Sequence, residues 1–172
     1  MSAPAVLVLD GHDAAGKTTL ATLLAERTDA HLIRPFEGQL GKLIAWAWGR
    51  GDFELADTIA RASVRKELAS NGSAPALVFD RHWLSLFTVL PRSLHDAWRP
   101  LPPTVLCWTD VETTCRRLAE RGEEVGDVRT HEHYCARYLE LAAEHGVPVV
   151  DTTRVGVEDA YAAVASRLEE VL

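Results

Sequence analysis

Two kinds of apolar pattern follow one another along the chain. Short runs in which nearly every residue is apolar are bounded by glycine, proline or polar residues, as in strands that are buried on both faces. These runs, with one shorter stretch, predict strands at residues 5–9, 31–35, 76–79, 104–108 and 147–151. Between them, apolar residues recur every three or four positions, which indicates helices that bury one face. Helices are therefore predicted at residues 17–28, 40–47, 52–69, 83–90, 111–121, 130–144 and 157–171.

The order of these elements predicts the architecture. Continuous apolar strands that alternate with amphipathic helices are typical of a parallel sheet between two helical layers. We therefore expect an α/β fold with three layers, α/β/α, and a five-stranded parallel sheet. No repeat, linker or low-complexity segment interrupts residues 1–172, so a single domain is predicted. Residues 91–103 contain four prolines and are predicted to form an irregular connection.

The first predicted strand leads directly into a glycine-rich segment. Residues 11–18 fit the pattern G-x-x-x-x-G-K-[ST] of nucleotide phosphate-binding loops. In such a loop the glycines allow backbone angles that a side chain would block, and free N–H groups at the start of the next helix point at the phosphates. Lys17 would reach the β- and γ-phosphates of ATP, and the Thr18 hydroxyl would be a ligand of Mg²⁺. The cofactors predicted are thus ATP and Mg²⁺, bound by residues Gly11, His12, Asp13, Ala14, Ala15, Gly16, Lys17, Thr18 and Thr19.

Charge and composition restrict the partners. The net charge of −7 argues against a nucleic acid polymer, because binding to its backbone needs a basic surface. Of the 18 basic residues 15 are arginine, which suits local, bidentate contacts to a phosphate group. Residues 1–4 carry no charged, hydrophobic leader and no apolar run is long enough to span a membrane, so we expect no membrane association and a cytoplasmic protein. The spacing of Cys107, Cys115 and Cys135 favours reduced thiols.

Four further segments accompany the phosphate loop in a fixed order, at residues 34–42, 80–85, 101–106 and 117–122. Residues 34–38, Arg-Pro-Phe-Glu-Gly, are similar to the Arg-Glu-Pro-Gly-Gly segment of the thymidylate kinases, and residues 80–85 match their Asp-Arg-Tyr-x-x-Ser element with His82 in place of Tyr. Nearly the whole chain therefore resembles the thymidylate kinases among the P-loop nucleoside monophosphate kinases. The resemblance implies a P-loop kinase fold with an arginine-bearing lid at about residues 117–129. Thymidylate kinases are commonly dimers, so it also allows a homodimer.

The resemblance implies roles for residues outside the phosphate loop. Asp80 would orient Mg²⁺ or polarise the acceptor, and Arg81 would hold the acceptor phosphate. Residues 13–15 carry no arginine, although some thymidylate kinases have one there, so Arg117 and Arg121 are predicted to bring positive charge to the transferring phosphoryl group. The predicted catalytic residues are Lys17, Asp80, Arg81, Arg117 and Arg121; the metal-binding residues are Thr18 and Asp80; and the acceptor-binding residues are Asp13, Arg34, Phe36, Arg61 and Arg81.

The acceptor region departs from the family. Only 16 residues separate Ser85 from Pro102, and Asp57 stands where a base-stacking Phe is expected, so we expect an acceptor pocket unlike that of thymidylate kinases. The main hypothesis is transfer of the ATP γ-phosphoryl group to a nucleoside or deoxynucleoside monophosphate. A kinase acting on a hydroxyl of a nucleoside or small metabolite is the alternative, because carboxylates that could act as a base are present. A non-catalytic nucleotide-binding regulatory protein is the third hypothesis. Three tryptophans are interpreted as packing residues rather than as platforms for a base, Trp46, Trp48 and Trp108.

Overall fold

Five parallel strands form the centre of the protein. The computed structural model describes residues 4–172. Residues 1–3, which belong to the segment predicted to carry no leader, lie outside the described part. The strands are β1 (Ala5–Asp10), β2 (Ala30–Ile33), β3 (Ala76–Asp80), β4 (Thr104–Trp108) and β5 (Val149–Asp151). They are ordered β2-β3-β1-β4-β5, with every neighbouring pair parallel. The predicted five-stranded parallel sheet is confirmed.

Helices cover both faces of the sheet. They are α1 (Lys17–Arg27), α2 (Gly38–Gly49), α3 (Phe53–Ser70), α4 (Trp83–Phe87), α5 (Val111–Glu120), α6 (Val128–His145) and α7 (Val157–Glu169), with a 3₁₀ helix at Arg92–Trp98. Carboxylates begin several of them: the Asp52 side chain accepts a hydrogen bond from the Leu55 N–H of α3, and the Asp110 side chain accepts one from the Thr113 N–H of α5. Each bond satisfies a helical N–H that has no partner within the helix.

Successive residues of the central strands point to opposite faces and so build two cores. On one face, Leu7 and Leu9 of β1 pack against α1 and α7. On the other face, Val8 of β1 and Phe79 of β3 pack against α3, α4 and α6. Because Leu9 is paired with Asp80, the carboxyl ends of β1 and β3 lie side by side. Ligand-binding groups of parallel sheets are found at this edge.

Two predictions about the helices need correction. The helix predicted at residues 83–90 ends at Phe87, and the connection predicted to be irregular contains the 3₁₀ helix. Trp46 and Trp48 are 53% and 40% exposed rather than packed in the interior, whereas Trp108 is half-buried against the core. Helix α2 buries Ile44 and Ala47, whereas its apolar residues Leu40, Leu43, Trp46 and Trp48 are exposed. An apolar period locates a helix, but it does not say whether another element covers each apolar position.

Within the described residues, no helix is both long and apolar enough to cross a membrane.

Candidate active site

The phosphate loop joins β1 to α1, and three of its residues have left-handed backbone angles. Gly11, Ala14 and Gly16 have φ angles of 147°, 57° and 84°. Space requires the glycine at position 11, because a Cβ there would lie 2.0 Å from the carbonyl oxygen of Cys107 on β4. In the part of the chain that the structure describes, no side chain caps α1, whose N-cap residue is Gly16. The first N–H groups of the helix are therefore available to an anion.

Lys17 lies against this loop with only 5% of its surface exposed. Its Nζ donates a hydrogen bond of 2.6 Å to the carbonyl oxygen of His12. Burial lowers the pKa of Lys17 to about 8, since desolvation disfavours the ammonium form. A phosphate placed in the loop would stabilise that ammonium ion by a charge-assisted hydrogen bond.

Thr18 and Asp80 meet where α1 faces the end of β3. The Thr18 hydroxyl donates a hydrogen bond of 2.6 Å to Asp80 Oδ2. A hydroxyl and a carboxylate beside a phosphate loop are oxygen ligands suited to Mg²⁺, which usually keeps several waters and also binds substrate phosphates. Among residues 4–172 no three His, Cys, Asp or Glu side chains gather into a metal site. A metal ion at this pair would therefore depend on phosphate oxygens and water for its other ligands, and the pair fits Mg²⁺ bound together with a nucleotide.

Arg81 directly follows β3 and links it to the phosphate loop. Its φ angle is 76°, a left-handed conformation that is uncommon for a residue with a side chain. The guanidinium donates hydrogen bonds to Asp13 Oδ1 at 2.6 Å and to the Gly11 carbonyl oxygen at 3.3 Å. Burial would raise the pKa of Asp13, but the positive charges of Arg81 and Lys17 outweigh this effect and lower the pKa below its usual value. Asp13 is therefore ionised and paired.

A buried network beneath Arg81 was not predicted from the sequence. Asp10 has no exposed surface, and its carboxylate accepts hydrogen bonds from the His82 N–H and from the Ser85 hydroxyl. Ser85 Oγ lies 2.8 Å from the Tyr138 hydroxyl and 3.4 Å from Arg81 Nη1. The network fixes the turn after β3 and so the direction of Arg81. The sequence signal that could have indicated this network is Asp10, an aspartate at the end of an otherwise apolar strand.

The two predicted lid arginines occupy different environments. Arg117 of α5 donates hydrogen bonds to the Ala14 carbonyl oxygen at 3.0 Å and to the Thr152 carbonyl oxygen at 2.7 Å. It joins the phosphate loop to the segment after β5. Arg121 begins the loop at residues 121–127, called here the α5–α6 loop, and pairs with Glu123 at 2.9 Å. Its side chain is 50% exposed, so Arg121 is the less restrained of the two.

Two cavities flank the phosphate loop, and both are lined by Ala14 and Arg121. The first has a volume of about 330 Å³ and lies between the loop, α5 and the start of α7, where Leu20, Val157 and Ala160 supply apolar surface. The second has a volume of about 250 Å³ and contains mostly charged groups. Its lining comprises Asp13, Lys17, Thr18, Phe36, Glu37, Asp80, Arg81 and Glu123 in addition to the two shared residues.

The predicted acceptor-binding residues are only partly brought together. Asp13, Phe36 and Arg81 line the charged cavity. Arg34 lies beside it, with its Nε 3.7 Å from Asp80 Oδ2 and 3.4 Å from Glu37 Oε1. This Nε is buried and has no hydrogen-bond partner within residues 4–172.

Arg61 lies elsewhere. Its guanidinium binds Asp57 at 2.7 and 2.8 Å, and the other oxygen of Asp57 accepts a hydrogen bond of 2.7 Å from Trp98 Nε1. Asp57 is 1% exposed, so these partners satisfy a buried carboxylate. Arg61 lines a separate cavity of about 400 Å³ between α3 and residues 97–102. Asp57, at the position where the resemblance suggests a Phe, thus joins α3 to the 3₁₀ helix.

The side chain of His12, the second residue of the phosphate loop, turns away from the loop towards α6. Its Nε2 lies 2.7 Å from His131 Nδ1, and the ring of Tyr134 stacks on it at 5.5 Å. Burial is the main reason that the pKa of His12 is lowered to about 4, so this ring is neutral at neutral pH. No sequence motif marks the contact, because 119 positions separate the two histidines.

Comparison with known proteins identifies the fold of the chain but does not assign the chain to a family. No protein-family model matches the chain, and no curated protein sequence matches it. Among solved structures, the chain is similar to a deoxyadenosine kinase from M. mycoides with bound dCTP, with a TM-score of 0.60 and 11% sequence identity. The match covers 96% of this chain and 100% of that one. The five-stranded parallel sheet and its flanking helices thus form the three-layer α/β/α fold of the P-loop kinases.

Proposed function

We propose that the chain is an ATP- and Mg²⁺-dependent kinase that transfers the γ-phosphoryl group to a small phosphorylated acceptor, in the first place a nucleoside monophosphate. The observation that carries the proposal is the Thr18–Asp80 hydrogen bond beside the Arg81–Asp13 ion pair, in one cavity with Lys17. The first pair suits the metal and the donor phosphates, and the second suits an anionic acceptor. The resemblance to thymidylate kinases supports the nucleotide class.

The cavity of about 330 Å³ supports the donor side of the proposal. It adjoins the loop at Gly16 and offers apolar surface from Leu20 and Val157, which suits a nucleobase. Arg117 lies at its wall and is held by the loop itself, so its planar guanidinium would pack against the base. The triphosphate would then run along the loop into the charged cavity.

Transfer needs positioning and positive charge more than covalent chemistry. Lys17 and the N–H groups of the loop would hold the β- and γ-phosphates, and Arg121 would add charge from the α5–α6 loop. Mg²⁺, when bound, supplies further charge at the same phosphates. Arg81 would exchange its bond to Asp13 for the acceptor phosphate. An oxygen of this phosphate bonds to the γ-phosphorus as the bond to ADP breaks, and no proton has to be removed because the acceptor phosphate is ionised at neutral pH.

Glu37 supports a second candidate, a kinase that phosphorylates a hydroxyl. Its carboxylate lines the charged cavity, and its side chain is 65% exposed. A hydroxyl acceptor must lose its proton during transfer, and Glu37 would take that proton as a general base. The similar solved structure is described as a deoxyadenosine kinase, which also favours testing nucleosides.

The test measures ADP formation from ATP and Mg²⁺ with a panel of nucleoside monophosphates and nucleosides that includes thymidylate and deoxyadenosine. The proposal expects turnover with at least one monophosphate, and a loss of about a hundredfold or more in Lys17→Met. In Glu37→Gln, turnover of a monophosphate should stay within about threefold, whereas a hydroxyl acceptor that uses this base should lose about a hundredfold. Turnover with nucleosides alone would establish the second candidate. ATP binding without turnover on any acceptor would overturn both and favour a regulatory protein.

A further inference from the structure

A chain of side-chain contacts joins the phosphate loop to the α5–α6 loop. His12 Nε2 lies 2.7 Å from His131 Nδ1, and His131 Nε2 lies 2.5 Å from the carbonyl oxygen of Val125. His12 and His131 are 9% and 6% exposed. Tyr134, one turn further along α6, stacks on the His12 ring with an angle of 17° between the planes. The two loops are thus connected through a single histidine of α6.

The hydrogen-bond chemistry gives this connection one arrangement when both rings are neutral. A carbonyl oxygen only accepts, so His131 Nε2 must carry its proton towards Val125. The Nδ1 atom of the neutral His131 is then an acceptor, and His12 Nε2 donates to it. Both nitrogens of His131 are therefore engaged, one with each loop.

Both ends of the connection reach the charged cavity. The carbonyl oxygen of His12 holds Lys17 Nζ at 2.6 Å, so the backbone of His12 sets the position of the phosphate-binding ammonium group. Val125 belongs to the same seven-residue loop as Arg121 and Glu123, which line the cavity from the other side. The contacts through His131 thus form a path by which a shift of the phosphate loop at His12 would reach the loop that carries Arg121.

We infer that His131 is a positioning residue that couples the phosphate loop to the α5–α6 loop, so that a triphosphate bound at Lys17 orders residues 121–127 and places Arg121 over the transferring group. The inference rests on the proposed function, because it requires that a nucleotide triphosphate binds the loop. It adds a role for a residue that contacts neither substrate. A histidine that only filled space between α6 and the loop would not transmit binding in this way.

The test uses the full chain with Mg²⁺ and the non-hydrolysable analogue AMP-PNP, and measures amide hydrogen exchange by mass spectrometry. In the wild type, AMP-PNP should slow exchange about tenfold or more both in residues 11–18 and in residues 121–127. His131→Phe keeps the ring but removes both nitrogens, so protection of residues 121–127 should fall to within about twofold of the free protein while residues 11–18 remain protected. His133→Phe, two positions along α6 at an exposed site, is the matched control and should behave as the wild type.

Two further variants keep the test decisive. His131→Gln retains an amide donor and acceptor and should restore part of the protection. His12→Phe removes the partner ring and should cause the same loss, with no further loss in the double variant, because both substitutions break one connection. Where an acceptor is turned over, His131→Phe should lower kcat about tenfold and leave the acceptor KM within about twofold.

The outcomes separate the inference from the proposed function. Equal protection of residues 121–127 in His131→Phe and in the wild type would overturn the coupling and leave the kinase proposal intact. Protection of residues 11–18 alone in the wild type would do the same. If AMP-PNP protected neither segment of the wild type, the triphosphate site itself would be wrong, and both would fail.

Discussion

Arg81 combines a strained backbone with a directed side chain. Its φ angle of 76° allows its N–H to pair with the Leu9 carbonyl oxygen while its guanidinium reaches Asp13. A side chain in this region costs about 1 kcal/mol or more, which glycine avoids. Asp10 and Ser85 hold the turn in place from below. A need for the guanidinium in the charged cavity would explain why the protein keeps this strained backbone conformation.

Comparing Arg81→Gly with Arg81→Ala separates backbone from side chain. Both variants lack the guanidinium, so both should lose about a hundredfold in kcat/KM. The glycine variant should have a free energy of unfolding about 1 kcal/mol higher than the alanine variant, because glycine relieves the left-handed strain. Urea unfolding measures the difference. Equal stabilities would show that the turn is not strained, and an active glycine variant would remove Arg81 from the acceptor site.

At the scale of elements, Arg117 in α5 and Arg121 directly after it are four positions apart but have different partners. Arg117 is held by three hydrogen bonds to Ala14 and Thr152, whereas Arg121 pairs, among the described residues, only with the exposed carboxylate of Glu123. If the proposed kinase site is correct, Arg117 would shape the nucleotide site through its bonds to backbone oxygens. Arg121, which is half-exposed, would suit a contact that forms during transfer.

Single alanine variants should therefore differ. Arg117→Ala should raise the KM for ATP about tenfold and lower the Tm by several degrees, because the three hydrogen bonds of Arg117 to Ala14 and Thr152 are lost. Arg121→Ala should lower kcat about tenfold and leave the Tm within about one degree. Arg116→Ala, on the exposed side of α5, is the matched control. Equal effects on kcat and Tm from the first two substitutions would contradict the division of roles.

The contact between α3 and the 3₁₀ helix depends on a buried carboxylate. Arg61→Met would leave Asp57 without its charged partner, and such a loss costs about 3 kcal/mol in the free energy of unfolding. We expect this loss of stability, measured by urea unfolding, with little change in the acceptor KM. Arg65→Met, one turn along α3, serves as the control. A large increase in acceptor KM with unchanged stability would instead support the role that the resemblance implies for Arg61.

Particular residues show how far the sequence leads. Lys17, Thr18 and Asp80 could be placed together because a glycine pattern and two strand ends bring them to one edge of a parallel sheet. The second partner of Asp57 could not be predicted, because Trp98 lies 41 positions away and is positioned by a connection of irregular sequence. The exposure of Trp46 depends on whether another element packs against its side of α2, and the apolar period of the sequence does not carry that information.

At the scale of the whole molecule, buried neutral histidines link stability to pH. The unfolded chain binds protons on histidine as the pH falls below about 6.5. In the folded protein, burial lowers the pKa of His82 to about 3 and that of His12 to about 4. The unfolded state therefore binds more protons between these values, and the free energy of unfolding decreases as the pH falls.

His82→Phe tests this link in metal-free buffer. Between pH 6 and pH 4, His82 should lower the free energy of unfolding of the wild type by up to about 1.4 kcal/mol per pH unit. Urea unfolding at each pH measures this decrease. The phenylalanine ring can pack between Phe79 and Trp98 without titrating, so the variant should show a shallower slope. His31→Gln, at an exposed position of β2, should leave the slope unchanged. Parallel curves for His82→Phe and the wild type would contradict the assignment.

The later part of the connection between β3 and β4, residues 88–101, is separate from the residues that line the charged cavity. Asp80, Arg81 and the loop that begins at Gly11 stand at the ends of β1 and β3, which have hydrogen-bonded neighbours on both sides. The 3₁₀ helix contacts α3 through the indole of Trp98, and none of its residues lines the charged cavity. A longer segment in place of residues 88–101 should therefore leave the lining of the charged cavity unchanged, which makes this connection the part of the chain that best tolerates an insertion.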